Sequence, residues 1–159
     1  MSGKIILSLG SNVGNRQTNL EKAVDNLIKR GFEIDKISSI YETEPVGFKD
    51  QDSFYNTAVS GYFRGEPEEL LKIINLIETG LRRERVLKYG PRTIDIDIIM
   101  FGNKKVSSDN LTIPHPEYKN RKFVLIPAAE IEPELMADAL KECSDGSKVK
   151  KLTFKRNEI

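Results

Sequence analysis

The chain has few of the residues that build covalent staples and metal cages. It contains one cysteine, Cys143, and one histidine, His115, among 159 residues. A lone cysteine closes no internal disulfide, and a lone histidine without cysteine companions makes no zinc site. A reducing compartment is compatible with this, and cytoplasm is the expected location. No apolar run approaches the roughly 18 residues that span a bilayer. The opening MSGKIILSLG turns polar too soon to read as a secretory signal. Net charge is +1, so no global field draws the chain to nucleic acid. The common nucleotide loops are missing too: neither G-x-x-x-x-G-K-S/T nor G-x-G-x-x-G occurs. With no repeat, low-complexity tract or linker, residues 1–159 are expected to form a single domain.

What is present reads as strands and helices in alternation. KIILSLG (4–10) is an apolar strand followed by the turn GSNVGN. RQTNLEKAVDNLIKR places Leu20, Ala23, Val24, Leu27 and Ile28 at helical spacing, and Gly31 ends it as a left-handed cap. FEIDKISSIYET (32–43) and FYNTAVSGYFR (54–64) read as strands. The ten residues between them, EPVGFKDQDS, are long for a hairpin loop. Pro67 opens a second helix with the stripe Leu70, Ile74, Ile77 and Leu81, and Glu78 at its edge. A third period-two segment, GPRTIDIDIIM (90–100), follows. The order β-α-β-β-α-β predicts an α+β, ferredoxin-like fold: an antiparallel sheet with two helices on one face. Beyond it, RKFVLIPAAEIEPEL is expected to hold a strand or extended segment and a short helix. LMADALKEC is expected to add another helix, and VKKLTF a final strand.

The chemistry concentrates in GPRTIDIDIIM. Isoleucines take one face of that strand, and Asp95 and Asp97 share the other. Their carboxylates can converge on a point, since alternate residues lie roughly 6–7 Å apart along a strand. Two carboxylates so placed repel unless a cation relieves them. Mg²⁺ suits them: it takes one or two carboxylates and leaves its other positions to water and phosphate. The plainer alternative is an exposed edge strand that carries charge against aggregation. Just before it, RRERVLKYGPR brings Arg82, Arg83, Arg85, Lys88 and Arg92 against one acid, Glu84. Arginines beside a metal-binding acid pair suit a polyphosphate. A helix end favouring cations explains Arg82 and Arg83 equally well, but not Lys88 and Arg92 in a Gly-Pro turn.

Other candidates carry a plain reading beside the functional one. GSNVGNR (10–16) has amides that can meet an anion, but a turn with Asn12 or Asn15 as helix cap is the commoner role. His115, stiffened between Pro114 and Pro116, can be aimed at a phosphate or be a surface histidine. Phe54 and Phe123 suit a core. Asn56 shares a strand face with Phe54 and offers donor and acceptor to a heterocycle's edge, or to backbone.

The set GSN (10–12), ETEPVG (42–47), FYNTAV (54–59), IE (77–78), GPRTIDIDI (90–98), PHP (114–116) and NRKFVLIPAAEI (120–131) resembles the hydroxymethyl-dihydropterin pyrophosphokinases of folate biosynthesis. The match runs in order from about residue 4 to about residue 135. The resemblance implies a ferredoxin-like fold. It also implies transfer of the terminal pyrophosphoryl group of ATP to the pterin's hydroxymethyl oxygen, with release of AMP and the service of two Mg²⁺ ions. Position by position, it assigns Asp95 and Asp97 to the metals, and Arg83 and Arg92 to the phosphates during transfer. Those four are the implied catalytic residues. Asn75, Glu78, Arg85, Lys88, Tyr89, Arg92, Ile98, Thr112, His115 and Arg121 fall where the family contacts ATP or organises its site. Thr43, Glu44, Val46, Phe54, Asn56 and Phe123 fall on the pterin pocket, with the two phenylalanines sandwiching the ring and Asn56 reading its edge. Phe54 stands where some members have tyrosine, Tyr89 where some have tryptophan, and Lys88 where some have arginine. The tail from Met136 to Ile159 matches no pattern of the family.

The implied partners are small molecules, with no nucleic acid, no membrane and a monomeric state expected. Loops 43–53 and 82–92 are expected to order over bound ATP. Two rivals remain open on the residues. One is another metal-dependent phosphoryl or nucleotidyl transferase, which would not bind pterin. The other is a non-enzymatic ferredoxin-like module binding RNA or a protein; the RNP motif of its RNA-binding versions does not occur.

Overall fold

The computed structural model describes residues 3–44, 53–82 and 93–152. Within them, a six-stranded sheet runs β5-β1-β4-β3-β8, with β2 also paired to β4. All its pairings are antiparallel. The strands are β1 (Ile5–Ser11), β2 (Glu33–Ile37), β3 (Tyr41–Thr43), β4 (Phe54–Tyr62), β5 (Asp95–Phe101) and β8 (Val149–Lys151). Strands β6 (Val106–Ser107) and β7 (Thr112–Ile113) form a separate ribbon. The helices are α1 (Arg16–Lys29), α2 (Pro67–Arg82), α3 (Lys122–Ile131) and α4 (Pro133–Glu142).

Side-chain alternation divides the sheet between two cores. On one face, Ile5, Leu7 and Leu9 of β1 and Ile96 and Ile98 of β5 pack with α1 and α2. The stripes that pack there are Leu20, Ala23, Val24 and Leu27, and Leu70, Ile74, Ile77 and Leu81. Ile28 lies off the first stripe and is exposed. The α1 stop is as expected, with Gly31 at φ 104°, and its start is capped by Asn15, whose side chain accepts from the Thr18 amide at 3.0 Å. The GSNVGN turn is filled from within, since Asn19 donates to Ser11 Oγ and the Val13 carbonyl.

The other face is covered as well, which two helices on one face did not anticipate. Ile6, Ala58 and Ile99 pack there with Val124, Leu125, Ala128, Ile131 and Met136 of α3 and α4. The expected strand or extended segment in RKFVLIPAAEI is therefore helix from Lys122 onward. FVLIP is apolar throughout, so it has no internal period to separate helix from strand. Pro127 removes one helical N–H, yet the buried positions 124, 125, 128 and 131 follow helical spacing. Acidic residues fasten this layer. Glu130 accepts from Tyr41 Oη (2.5 Å) and from the Ser39 amide (3.0 Å). Glu132, 3% exposed, accepts from Ser60 Oγ at 2.8 Å and Lys4 Nζ at 3.1 Å.

Two irregularities shape the sheet. The single strand expected over 32–43 is split, because Ser38 turns its hydroxyl into the ladder and accepts from the Ala58 amide at 2.8 Å. On β5 the register slips one residue against β1, so that Ile6 opposes Met100 while Leu7 opposes Ile98. Such a bulge shifts the phase of alternation. Phe101 thereby joins the first core beside Ile5, although Asp95 and Asp97 point to the other face.

Candidate functional site

One end of the second face lies beside the first turn of α3. There the sheet floors a cavity of about 290 Å³. Asp95 and Asp97 border it from β5, Ser8 and Gly10 from β1, and Phe54 and Asn56 from β4. Thr43 and Glu44 close it at the end of β3, and Arg121 and Phe123 at the start of α3.

Register explains why these side chains meet. Asp95 lies opposite Gly10, and Gly10 opposite Asn56. Asp97 lies opposite Ser8. The strand between the acids and the amide thus carries only small side chains. A Cβ at residue 10 would lie 3.2 Å from Asn56 Oδ1 and 3.6 Å from Phe54 Cδ1. Glycine there keeps the floor open between the charged and the amide halves. Asn56 is 3% exposed and donates from Nδ2 to Thr43 Oγ1 at 2.9 Å. That bond fixes the carboxamide, with Oδ1 on the Gly10 side.

The pair fits Mg²⁺ held with help from substrate. Two carboxylates border open space, and no group of three or more histidine, cysteine or acidic residues stands ready for a metal among the described residues. A hard cation that takes one or two carboxylates and completes its shell with phosphate and water matches this donor set.

The outer edge of β5 gathers other expected residues. Glu78 Oε2, from α2, accepts from the Ile96 amide at 2.9 Å. Farther along, the Ile99 carbonyl accepts from the His115 amide at 3.0 Å. His115 Nδ1 accepts from the Glu117 amide at 3.1 Å, which leaves Nε2 as the ring's donor in the neutral form. Asn75 is exposed on α2, one turn before Glu78. Thr112 is exposed on β7. Ile98 is 5% exposed, its side chain in the first core, so any ligand contact from it falls to its backbone. Arg121 borders the cavity together with the two acids, its guanidinium 5.8 Å from the Phe123 ring centre. Val46, Arg83, Arg85, Lys88, Tyr89 and Arg92 lie outside the described residues, as do most of the two loops expected to move.

Four cavity residues escaped the sequence reading. Ser8 and Gly10 are visible only through register. Asp145 and Ser147 come from the tail beyond Met136. The Asp145 carboxylate accepts from the Lys122 amide at 3.0 Å and the Ser147 amide at 2.9 Å. These bonds, the Lys122 amide first, hold its pKa below the ordinary carboxylate range.

Residues 6–133 match the family model described as 7,8-dihydro-6-hydroxymethylpterin-pyrophosphokinase. A Bacillus subtilis (strain 168) protein named 2-amino-4-hydroxy-6-hydroxymethyldihydropteridine pyrophosphokinase is 43% identical over 132 residues, covering 82% of this chain and 79% of that protein. An Aquifex aeolicus (strain VF5) protein of the same name is 38% identical, covering 83% of this chain and 82% of its own length. The folate synthesis bifunctional protein of Arabidopsis thaliana is 41% identical, but this chain spans 27% of its length. Among solved structures, Plasmodium falciparum HPPK-DHPS superposes with a TM-score of 0.67 at 17% identity, over 89% of this chain and 43% of that one. That likeness speaks for the fold. Matched in sequence along most of its length, the chain belongs to the 7,8-dihydro-6-hydroxymethylpterin-pyrophosphokinase family.

Proposed function

We propose that this chain transfers a pyrophosphoryl group from ATP to the hydroxymethyl oxygen of 6-hydroxymethyl-7,8-dihydropterin and releases AMP, as a step of folate biosynthesis. The observation that carries the reading is one continuous row: Asp95, Gly10 and Asn56 side by side across three strands, under a cavity bordered by two phenylalanines. A flat heterocycle suits the amide and aromatic half. Asn56, locked by Thr43, presents its carbonyl oxygen to ring N–H donors. Phe54 and Phe123 supply apolar faces. The acid half then lies beside the ring's substituent, where the triphosphate must arrive.

In the reaction the hydroxymethyl oxygen gives up its proton to solvent and forms a bond to the β-phosphorus. The bond from that phosphorus to the oxygen bridging to the α-phosphate breaks, and its electron pair leaves on AMP. Such transfers depend on positioning and charge stabilisation more than on covalent catalysis. Asp95 and Asp97 are the residues to hold two Mg²⁺ ions, which when bound neutralise triphosphate charge. Glu78 steadies the strand that bears them. His115 Nε2–H, Asn75 and Thr112 are read as the nucleotide side, together with Arg83, Arg85, Lys88, Tyr89, Arg92 and Arg121. Arg83 and Arg92 are assigned to charge on the transferring group.

We read residues 1–159 as one domain acting as a monomer in the cytoplasm, on small molecules and without nucleic acid. No described helix is long and apolar enough to cross a membrane. Among the described residues, the large exposed apolar side chains Ile28, Leu76 and Leu135 sit on three different helices. The test of the function is AMP formation from ATP and Mg²⁺ on addition of the pterin alcohol. AMP should form only when the pterin is present.

A further inference from the structure

The tail is the least explained part of the sequence, and it reaches the cavity. Residues 134–159 lie beyond the family match, which ends at residue 133. After α4, Asp145 and Ser147 line the cavity. Two residues later it joins the sheet as β8, where Val149 opposes Thr43 and Lys151 opposes Tyr41. The Leu152 amide donates to the Ile40 carbonyl at 2.9 Å and extends that pairing.

Asp145 fastens the other side of this strap. Helix α3 begins at Lys122, and its preceding residue, Arg121, makes no side-chain capping bond. Asp145 supplies one from 23 positions away by accepting the Lys122 amide. A carboxylate satisfies an orphan donor there and faces the positive end of the helix dipole. Its second oxygen accepts the Ser147 amide and shapes the turn that leads into β8. The residue after Lys122 is Phe123, an aromatic wall of the cavity. The strand that receives β8 carries Thr43, the partner of Asn56. One strap thus ties the first turn of α3 to the strand that holds the amide.

We propose that the strap over residues 143–151, through Asp145, sets the distance between the Phe123 wall and the Asn56–Thr43 floor, and so sets affinity for the pterin ring. Asp145 is a positioning residue: it acts through Lys122 and Phe123. The inference rests on the pterin reading of the cavity.

The experiment compares the parent chain with Asp145→Ala and Asp145→Asn. A pterin analogue is titrated by calorimetry in the presence of Mg²⁺ and a non-transferable ATP analogue, and steady-state constants are measured alongside. Asp145→Ala should weaken pterin binding about tenfold and raise the pterin KM to match, with the ATP KM unchanged. Asp145→Asn keeps an acceptor for the Lys122 amide and should recover most of the loss. Exchange of the Lys122 amide should quicken in Asp145→Ala and not in Asp145→Asn. Pterin affinity in Asp145→Ala equal to the parent's overturns the inference. So does an ATP KM that rises in step with the pterin KM, since that marks a general loss of structure. A parent chain that binds no pterin overturns the functional reading first, and this inference with it.

Discussion

Glu78 Oε2 accepts the amide hydrogen of Ile96 at 2.9 Å, and Ile96 is the residue between Asp95 and Asp97. Helix α2 therefore grips the strand between Asp95 and Asp97. Among the described residues, strand β5 pairs with β1 on one side and ends the sheet on the other. Without Glu78 the Ile96 amide would have no bond from α2.

Glu78→Ala should therefore act on catalysis more than on folding. Losing the bond should cost about 1–2 kcal/mol of stability. Turnover should fall by about ten- to a hundredfold as the aspartates lose their alignment. Thermal unfolding and steady-state kinetics on the same variant check the pair of effects. A stability loss with turnover intact would remove the positioning role.

Gly10→Ala probes the open floor. The added methyl meets Asn56 Oδ1 at 3.2 Å, tight enough to push the carboxamide, on backbone that any residue adopts. The fold should survive, and the pterin KM should rise by about tenfold or more while the ATP KM stays near the parent's. Calorimetry with each substrate analogue separates the two.

Glu132→Ala tests the layer over the second face. Glu132 is buried, and removing it leaves the Ser60 hydroxyl and one side of Lys4 without their acceptor. Lys4 keeps Asp35 at 2.6 Å, which limits the damage. The expected loss is about 2–3 kcal/mol, read as a lower midpoint in urea. Because Glu132 lies at the far end of the face from Asp95, turnover at low temperature should persist.

Acid should loosen the tail. The Asp145 pKa is lowered in the folded chain by the Lys122 and Ser147 amides. A carboxylate lowered on folding stabilises at pH above its unfolded pKa, and that contribution fades as pH falls through the folded value. The strap should therefore be intact from neutrality down to about pH 4 and loosen only below the ordinary carboxylate range. The pH dependence of Lys122 amide exchange reports this directly. Asp35 follows the same sign through its bond to Lys4.

Much of this molecule was legible in its residues. The stripes Leu20–Leu27 and Leu70–Leu81 are periodic because each helix buries one side only, and both pack in the core, with Ile28 of the expected first stripe left exposed. The alternation of Ile94, Ile96 and Ile98 against Asp95 and Asp97 gave the strand and its faces for the same reason. Helix α3 is not legible as a helix, because FVLIP is buried without a period and carries a proline. The bulge at Ile99 was invisible, since one inserted apolar residue leaves an apolar run apolar. Gly10 needed register, which couples residues 46 and 85 positions apart. Asp145 was half legible: S-D-G-S suggests the local turn to Ser147, but nothing nearby names Lys122 as its partner.

In the proposed reaction the cavity joins a pterin half to an acid half in a single transfer. The measurement that tests it most directly is AMP release from ATP and Mg²⁺, with and without 6-hydroxymethyl-7,8-dihydropterin, in the parent chain and in Asp97→Ala. Pterin-dependent AMP is expected in the parent and a drop of about a thousandfold or more in the variant, with its fold intact by circular dichroism. AMP released equally without pterin, or turnover preserved in a folded Asp97→Ala chain, would contradict it.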